Sequence, residues 1–214
     1  MAVTPAHPAG ESASFAEVMG APAGGILLAV GTVSAGPRGG ASEAVAAGRG
    51  VMHAASTHGS SPSEVLDMLG SSMRSQPTGT WASGVAATLH LNTGALEIAQ
   101  AGAAAVVMLG REGRVHLVLP DTAPVGTGHV RPPSQLHLAL PGDRVALLSG
   151  RVSALADPRC LYEAELALAS LSDNGGTETA RALLSLVCAD DVAAAVSVLE
   201  VAEEHPEAPP FVAT

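Results

Sequence analysis

The chain has 214 residues, of which 47% are hydrophobic and only 2% aromatic, and its mean hydropathy is slightly positive at +0.33. This length and apolar content suffice for one sizeable core, which favours a single domain over two small ones. The formal net charge is −10, and all ten basic residues are arginines that nowhere cluster with aromatic side chains. The composition therefore excludes an electrostatic nucleic-acid interface and a polybasic membrane-binding patch.

Both ends of the chain are rich in Pro and in small or acidic residues. We therefore expect flexible termini at 1–10 and 203–214 around one ordered domain at 11–202. The opening MAVTPAHPAG lacks the basic and apolar segments of a signal peptide, and no apolar run approaches the roughly 18 residues of a membrane span. We expect a cytoplasmic protein without a membrane partner. Cys160 and Cys188 match no CxxC or metal-ligand spacing, which indicates reduced thiols.

The first third of the chain predicts a strand followed by two helices. GGILLAVGTVS, from Gly24, is a short apolar run between glycines and predicts a buried strand, and GPRGGAS breaks it before the Ala-rich helix EAVAAGRGVMHAAS. SSPSEVLDMLGSSMRS predicts a second helix with Ser61 as N-cap, Pro62 at the first helical position and Glu64 completing a capping box.

From Thr80 the pattern changes to short strands. WASGVAATLHL, ALEIAQAG, AAVVMLG, RVHLVLP and SQLHLAL are separated by NTG, REG and PGD turn signals, which predicts a meander of antiparallel hairpins. After RVALLSG, the segments CLYEAELALASLSDNGG and TETARALLSLVCA predict two helices, and DVAAAVSVLEV predicts a closing strand. This order of elements is typical of a layered α+β domain in which helices cover sheet faces.

The glycine-rich loop GTVSAGPRGGAS lies between a strand and a helix, where backbone N–H groups could hold a phosphate. It matches neither GxGxxG nor GxxxxGKS/T, and hairpins rather than βαβ units follow it. We interpret its glycines as residues of a tight turn. The many serines have no motif context either, so no Ser/His/Asp set can be assembled.

Two further groups of side chains are candidate metal ligands. The eight histidines are scattered, and His90, His116 and His137 fall at alternating positions in predicted strands, which places them on the less buried face. Asp190 and Asp191 open an apolar strand, where adjacent carboxylates could hold a hard divalent cation. A solvated loop explains the same two aspartates, and the residues alone leave both interpretations open.

Several segments in order carry a family resemblance: GALEIAQAGAAAVVMLGREGRVHLV, APVG, LHLALPGDRVALLSGRVSALADP and ADDVAAAVSVLEV. From about Ser12 to Val201 the chain resembles the bacterial metal-dependent protein phosphatases of the PPM (type 2C) family, in their sporulation stage II E and RsbU-like branch. The resemblance implies an α-β-β-α sandwich of two antiparallel sheets flanked by helices. It also implies hydrolysis of phosphoserine or phosphothreonine with two Mg²⁺ or Mn²⁺ ions held by aspartates.

The resemblance also locates the family's acidic positions in this chain. SASFAEV occupies the first acidic segment and puts Ser14 at its aspartate and Glu17 at its second acid. GTVSAGP stands where the family has GDVSGHG, so Thr32 replaces the aspartate that bridges both metals and Gly36 replaces the histidine. SGR stands where the family has TDG, which puts Gly150 at the aspartate.

Two other positions complete this comparison. Ala103 ends the AGA that stands for the family's AGH, and Asp190, with Asp191 beside it, keeps the family's DD pair. Three of the four ligand positions are thus neutral. A hydroxyl or a glycine cannot supply the charge of a bridging carboxylate, so we expect no resident metal and turnover near background.

The leading hypothesis is a pseudophosphatase that binds a protein partner, an anti-sigma factor or its antagonist in the partner-switching systems of this branch. A second hypothesis is a Mg²⁺- or Mn²⁺-dependent enzyme with a rebuilt one-metal site from Asp190, Asp191, Glu17 and Glu43. A third is a homo-oligomerising assembly module, because small helical faces such as EAVAAGRG permit close packing. The sequence does not fix the oligomeric state.

Overall fold

The computed structural model describes residues 11–36, 38–76, 79–119, 122–128, 131–150, 152–187 and 194–201, with the backbone alone at 23 and 171–175. These residues include four helices: α1 (Ala41–His58), α2 (Pro62–Ser75), α3 (Pro158–Ala169) and α4 (Leu171–Val187). They also include strands β1 (Ser12–Ala21), β2 (Gly25–Ser34), β3 (Trp81–His90), β4 (Ala95–Ala101), β5 (Ala104–Leu109), β6 (Val115–Val118), β7 (Ser134–Leu138), β8 (Arg144–Ser149) and β9 (Ala195–Glu200). Short 3₁₀ helices lie at Pro22–Gly24 and Val152–Ala156.

The strands form two antiparallel sheets that stack face to face. The five-stranded sheet has the order β1-β2-β3-β4-β7, and the four-stranded sheet has the order β6-β5-β8-β9. One face of the five-stranded sheet packs on α1 and α2, and its other face packs on the four-stranded sheet. The outer face of the four-stranded sheet packs on α3 and α4. The α-β-β-α sandwich predicted from the resemblance is confirmed.

The side chains of β2 alternate between two hydrophobic cores. Leu27, Ala29 and Val33 belong to the core beneath α1 and α2, whereas Leu28 and Val30 belong to the core between the sheets. Successive side chains of a strand point to opposite faces, so both faces of this strand are apolar. Even-numbered residues of β2 therefore face the four-stranded sheet.

The local prediction for α2 is confirmed. Ser61 accepts a hydrogen bond from the Glu64 backbone N–H, and the Glu64 carboxylate accepts one from the Ser61 N–H at 2.9 Å. These bonds from Ser61, assisted by the charge of Arg131, hold the pKa of Glu64 below its ordinary value. A reciprocal capping box of this kind satisfies two donors that a helix start leaves free.

The predicted meander is wrong in its pairing. β3 and β4 do form a hairpin, as do β5 and β6, but β7 pairs with β4 and β8 pairs with β5. The chain therefore crosses between the sheets three times: at Gly102, between β6 and β7, and between β7 and β8. Turn signals identify where a strand ends, but the choice of sheet depends on which long-range faces can be buried together.

The predicted break between the last two helices is also displaced. It was expected near the Asn-Gly-Gly sequence, but α3 ends at Ala169 and α4 runs from Leu171 through those glycines. Arg144 explains the position, because its guanidinium donates to the carbonyls of Leu168 at 3.1 Å and Ala169 at 2.8 Å. These bonds satisfy carbonyls that would otherwise lack partners at the end of α3.

Two of the three strand histidines lie as predicted. His90 and His116 are exposed, whereas His137 is half-buried on the side of β7 that faces the four-stranded sheet. On β7 the apolar side chains of Leu136 and Leu138 occupy the exposed face, and His137 occupies the more buried one. Alternation shows which residues share a face, but it does not show which face is buried.

The start of α1 is capped from a distance by Glu11. Its carboxylate accepts from the backbone N–H groups of Gly40 at 2.9 Å and Ala41 at 3.4 Å, and from the Ser42 hydroxyl at 3.3 Å. An anion at a helix N-terminus is stabilised by the free N–H groups and the helix dipole.

We expect Glu11→Ala to lower the free energy of unfolding by about 1 kcal/mol, since a cap and a favourable dipole interaction are both lost. Urea denaturation monitored by circular dichroism measures this change. Glu11→Gln, which keeps an acceptor oxygen, should lose less. Equal stability of all three proteins would contradict the capping role.

None of the helices among the described residues is both long and apolar enough to span a membrane. Residues 1–10 and 202–214, on which the expected flexible ends lie, are outside the described residues, as is Cys188. Cys160 is a free thiol.

Candidate functional site

The position of Thr32 is set by strand pairing. It lies on β2 directly opposite Ser14 of β1 and Ser83 of β3. Because directly paired residues share a face, all three side chains lie on the side of the sheet that faces the four-stranded sheet. Thr32 and Ser83 are buried, and Ser14 is half-buried.

The four-stranded sheet supplies a fourth hydroxyl. Ser149, the last residue of β8, is fully buried, and its Oγ lies 3.0 Å from Oγ1 of Thr32. This hydrogen bond joins the two sheets across their interface. We call Ser14, Thr32, Ser83 and Ser149 the hydroxyl cluster. Ser14 and Thr32 were predicted for this site, whereas Ser83 and Ser149 were missed.

Ser83 is enclosed by the crossover between the sheets. Its Oγ is shielded from solvent and has no hydrogen-bond partner among the described residues. A Cβ built on Gly102 would lie within clashing distance of this oxygen, and Gly102 has a φ of +64°. The backbone of the crossover therefore packs directly on Ser83 and leaves no room for a further side chain there.

Gly150, the predicted replacement for an aspartate, has backbone geometry that favours glycine. Its φ is +126°, which residues with a Cβ rarely adopt. A Cβ at this position would lie 2.8 Å from the Val187 carbonyl oxygen and 2.9 Å from the Ala194 Cβ. Its N–H donates to the Ala103 carbonyl at 3.2 Å. Gly150 and Ala103, which stand where the resemblance implies an aspartate and a histidine, are therefore in direct contact. The end of α4 and the start of β9 fill the volume that a carboxylate would need.

The structure separates Glu17 from the hydroxyl cluster. Glu17 pairs with Ala29 of β2, so it lies on the face that packs on α1. Its carboxylate forms a 2.6 Å ion pair with Arg49 of α1. The expectation that Glu17 contributes to a metal site fails for this reason: three residues along a strand reverse the face from that of Ser14.

The remaining acidic candidates for a metal site are Glu43, Asp190 and Asp191. Glu43 lies in the first turn of α1 and is exposed. Asp190 and Asp191 lie outside the described residues, so their prediction as metal ligands stays a prediction. Across the part of the chain that is described, no group of three or more His, Cys, Asp or Glu side chains could hold a metal ion.

These donors do not fit the two-cation centre that the resemblance implies. Mg²⁺ and Mn²⁺ require several oxygen ligands, with carboxylates to offset their charge. The hydroxyl cluster is neutral and its Thr32 and Ser149 hydroxyls are bonded to each other. The cluster joins the sheets at the position where the resemblance implies that an active member of the family binds its metals.

A family model described as Stage II sporulation protein E (SpoIIE) matches residues 23–197. The chain belongs to the SpoIIE family. No curated protein sequence matches this SpoIIE-family chain significantly. The family predicted from the sequence is therefore confirmed, together with its branch.

Solved structures share the fold of this SpoIIE-family domain at low identity. The RsbU and RsbW domains of Rv1364c from Mycobacterium tuberculosis match with a TM-score of 0.69 and 17% identity, over 88% of this chain and 56% of that one. The PP2C domain and regulatory fragment of SpoIIE from Bacillus subtilis match with a TM-score of 0.59 and 14% identity, over 92% and 65%. The phosphatase PstP, in complex with 2 manganese ions, matches with a TM-score of 0.64 and 16% identity, over 91% and 99%.

These likenesses show the PP2C-type fold, and the family model assigns the domain to the SpoIIE family. The chain spans just over half of the Mycobacterium tuberculosis protein, which also carries an RsbW domain. The manganese ions belong to PstP, and a likeness at 16% identity shows the fold alone.

Proposed function

We propose that this SpoIIE-family domain is a pseudophosphatase, a catalytically impaired PP2C-type domain that acts in the cytoplasm as a protein-binding regulatory module. The observation that carries the proposal is the buried hydrogen bond between Thr32 and Ser149, at the position of the family's bridging aspartate. A neutral contact between the sheets supports a structural role at that point and gives no charge with which to bind a cation.

The chemistry of phosphoryl transfer explains why this substitution matters. The reaction depends on cations that generate the nucleophilic water and neutralise charge on the transferring oxygens. Losing a single transition-state contact of this kind costs about 3–4 kcal/mol, or two to three orders of magnitude in rate. Neutral residues at Ser14, Thr32 and Gly150 remove three such contributions, so turnover should fall to background.

The kind of partner follows from the proteins that share the fold. An RsbU domain and an RsbW domain occur in one solved Mycobacterium tuberculosis chain, and another neighbour is described as part of the bacterial stressosome, a modular signalling system. By analogy with these proteins, the partner is an anti-sigma factor of the RsbW kind or its phosphorylatable antagonist.

An enzyme with a rebuilt metal site receives less support. It required Glu17 to approach Asp190, but Glu17 faces α1 and is paired with Arg49. The assembly module has no observation in its favour beyond small residues on α1, several of which are buried in this protein's own core.

The test is hydrolysis of p-nitrophenyl phosphate and of a phosphoserine peptide across a Mn²⁺ titration. We expect no turnover above buffer at millimolar Mn²⁺, with folding confirmed by circular dichroism and the Streptococcus agalactiae serine/threonine phosphatase as the positive control. Calorimetric titration with an RsbW-type domain from the same genome should give saturable binding.

Two results would count against the proposal. Turnover that rises with Mn²⁺ and disappears in Asp190→Asn would restore an enzyme and place its metal at Asp190. Absence of both turnover and binding to RsbW-type domains and their antagonists would reject the regulatory role in partner switching.

A further inference from the structure

Two histidines meet at one edge of the sandwich, far from the hydroxyl cluster. His116 lies on β6, an edge strand of the four-stranded sheet, and His137 lies on β7, an edge strand of the five-stranded sheet. Their strand partners, Met108 and Leu96, both pack in the core between the sheets. The two imidazoles therefore face each other from different sheets.

Their relative position suits a shared ligand. The ring centres are 5.6 Å apart with the ring planes tilted at 57°. Zn–N bonds of about 2.0–2.1 Å would place each ring centre about 3.2 Å from a shared ion, so a tetrahedral angle gives centres about 5.2 Å apart. The observed separation exceeds that value by only a few tenths of an ångström, and a slightly wider angle accounts for it.

One nitrogen of this pair lacks a hydrogen-bond partner. Nε2 of His137 is shielded from solvent and has none among the residues that the structure describes. A buried polar atom without a partner is costly, and such atoms in native proteins call for an explanation such as an ion or a water. This observation is independent of the distance between the rings.

The two strands are held in place around the pair. The amide of Gln100 on β4 donates to the Val118 carbonyl on β6 at 2.9 Å, which ties the two sheets together two residues from His116. β7 is paired with β4 along its whole length. The pair is thus carried by two fixed strands rather than by a loop, as a preformed site requires.

We propose that His116 and His137 bind a borderline divalent transition-metal ion, of which Zn²⁺ is the expected physiological ligand. Imidazole nitrogen suits Zn²⁺, Ni²⁺ and Cu²⁺, whereas Mg²⁺ and Mn²⁺ prefer oxygen. No third His, Cys, Asp or Glu joins the two rings within the described residues, which would leave the remaining coordination positions open to water. The metal preference is therefore opposite to that of the family's phosphatase centre.

Burial, and to a lesser extent the neighbouring His116, lowers the pKa of His137 below its ordinary value. A lowered pKa favours the neutral imidazole, which is the form that binds metals. Through the paired strands β4 and β3, His137 is level with a β2 residue six positions from Thr32, which corresponds to about 20 Å along the strand. The histidine pair is therefore separate from the hydroxyl cluster and independent of the proposed function.

Calorimetric titration of the full chain, without an affinity tag, with ZnCl₂ and separately with CuCl₂ at pH 7.5 tests the site. We expect one site whose affinity falls at least tenfold in His116→Gln and in His137→Gln. The matched control is His90→Gln, which removes an exposed strand histidine and should leave the affinity unchanged. Saturating Zn²⁺ should raise the Tm of the wild type by at least about 2 °C, and MgCl₂ should not.

Paramagnetic broadening by Cu²⁺ of the wild-type NMR spectrum requires no variant, and it should be centred on residues near 116 and 137. Equal Zn²⁺ affinity in the wild type and the double variant would overturn the proposal, as would Cu²⁺ broadening centred elsewhere. Absence of Zn²⁺ and Cu²⁺ binding to folded wild-type protein would also overturn it.

Discussion

Thr32→Asp should lower the free energy of unfolding by about 3 kcal/mol at neutral pH, because it places a carboxylate between the sheets with no cation to offset its charge. Thr32 is 4% exposed and its neighbours Ser14, Ser83 and Ser149 are all neutral. Hydroxyl donors can form hydrogen bonds to the new carboxylate, but they do not replace its lost hydration. Urea denaturation of the variant and the wild type measures the difference.

The pH dependence gives this prediction a second readout. Burial raises the pKa of the introduced carboxyl in the folded state above its unfolded value. The folded protein therefore accommodates the protonated carboxyl better than the carboxylate, and the free energy of unfolding falls as the pH rises. The variant should therefore be closer to the wild type at pH 5 than at pH 8. Thr32→Asn, which has the same size without the charge, should cost less than half as much and show no such trend.

Adding Mn²⁺ to the Thr32→Asp variant distinguishes the burial of an uncompensated carboxylate from a latent metal site. If Thr32→Asp regained wild-type stability in millimolar Mn²⁺, the centre would be one substitution away from binding metal. We expect no recovery, because Ser14 and Gly150 remain neutral.

Gly150→Asp should also be strongly destabilising, by about 3 kcal/mol or more, because unfavourable backbone geometry and overpacking act together. The φ of +126° disfavours any Cβ, and that atom would approach the Val187 oxygen and the Ala194 Cβ to within 3 Å. The clash begins at the first carbon of the side chain. Gly150→Ala should therefore show most of the loss found for Gly150→Asp.

Gly113→Asp is the matched control for this prediction. Gly113 also has a positive φ, of +74°, but a Cβ built there meets nothing within 4 Å. The same substitution should cost only about 1–2 kcal/mol at that turn. Equal losses at Gly113 and Gly150 would show that backbone conformation alone, and not the packing of α4 and β9, excludes an aspartate from position 150.

Much of the fold could be predicted from local pattern. The capping box at Ser61 and Glu64 identified the start of α2, and the turn signals located the ends of the strands. The pairing of β7 with β4 could not be predicted, because it depends on long-range burial. The break between α3 and α4 was likewise beyond local pattern, since it is fixed by the Arg144 guanidinium from another strand.

The candidate site was predictable only in part. The resemblance located Ser14, Thr32 and Gly150, and the structure places Ser14 and Thr32 side by side on one face. Ser149 was adjacent to a predicted position, but nothing in the sequence showed that its side chain reaches Thr32. Ser83 had no motif at all, because its place in the cluster follows from strand register alone. The error at Glu17 arose because motif spacing was considered without the alternation of a strand.

The packing around Gly150 has a consequence for how this domain can change over evolutionary time. Under the proposed function, a two-metal centre would need carboxylates at several positions, and at Thr32 and Gly150 each substitution alone is expected to destabilise the protein before any ion can bind. At position 150 the neighbours Val187 and Ala194 would have to move first. Single substitutions toward a metal site would therefore pass through less stable intermediates.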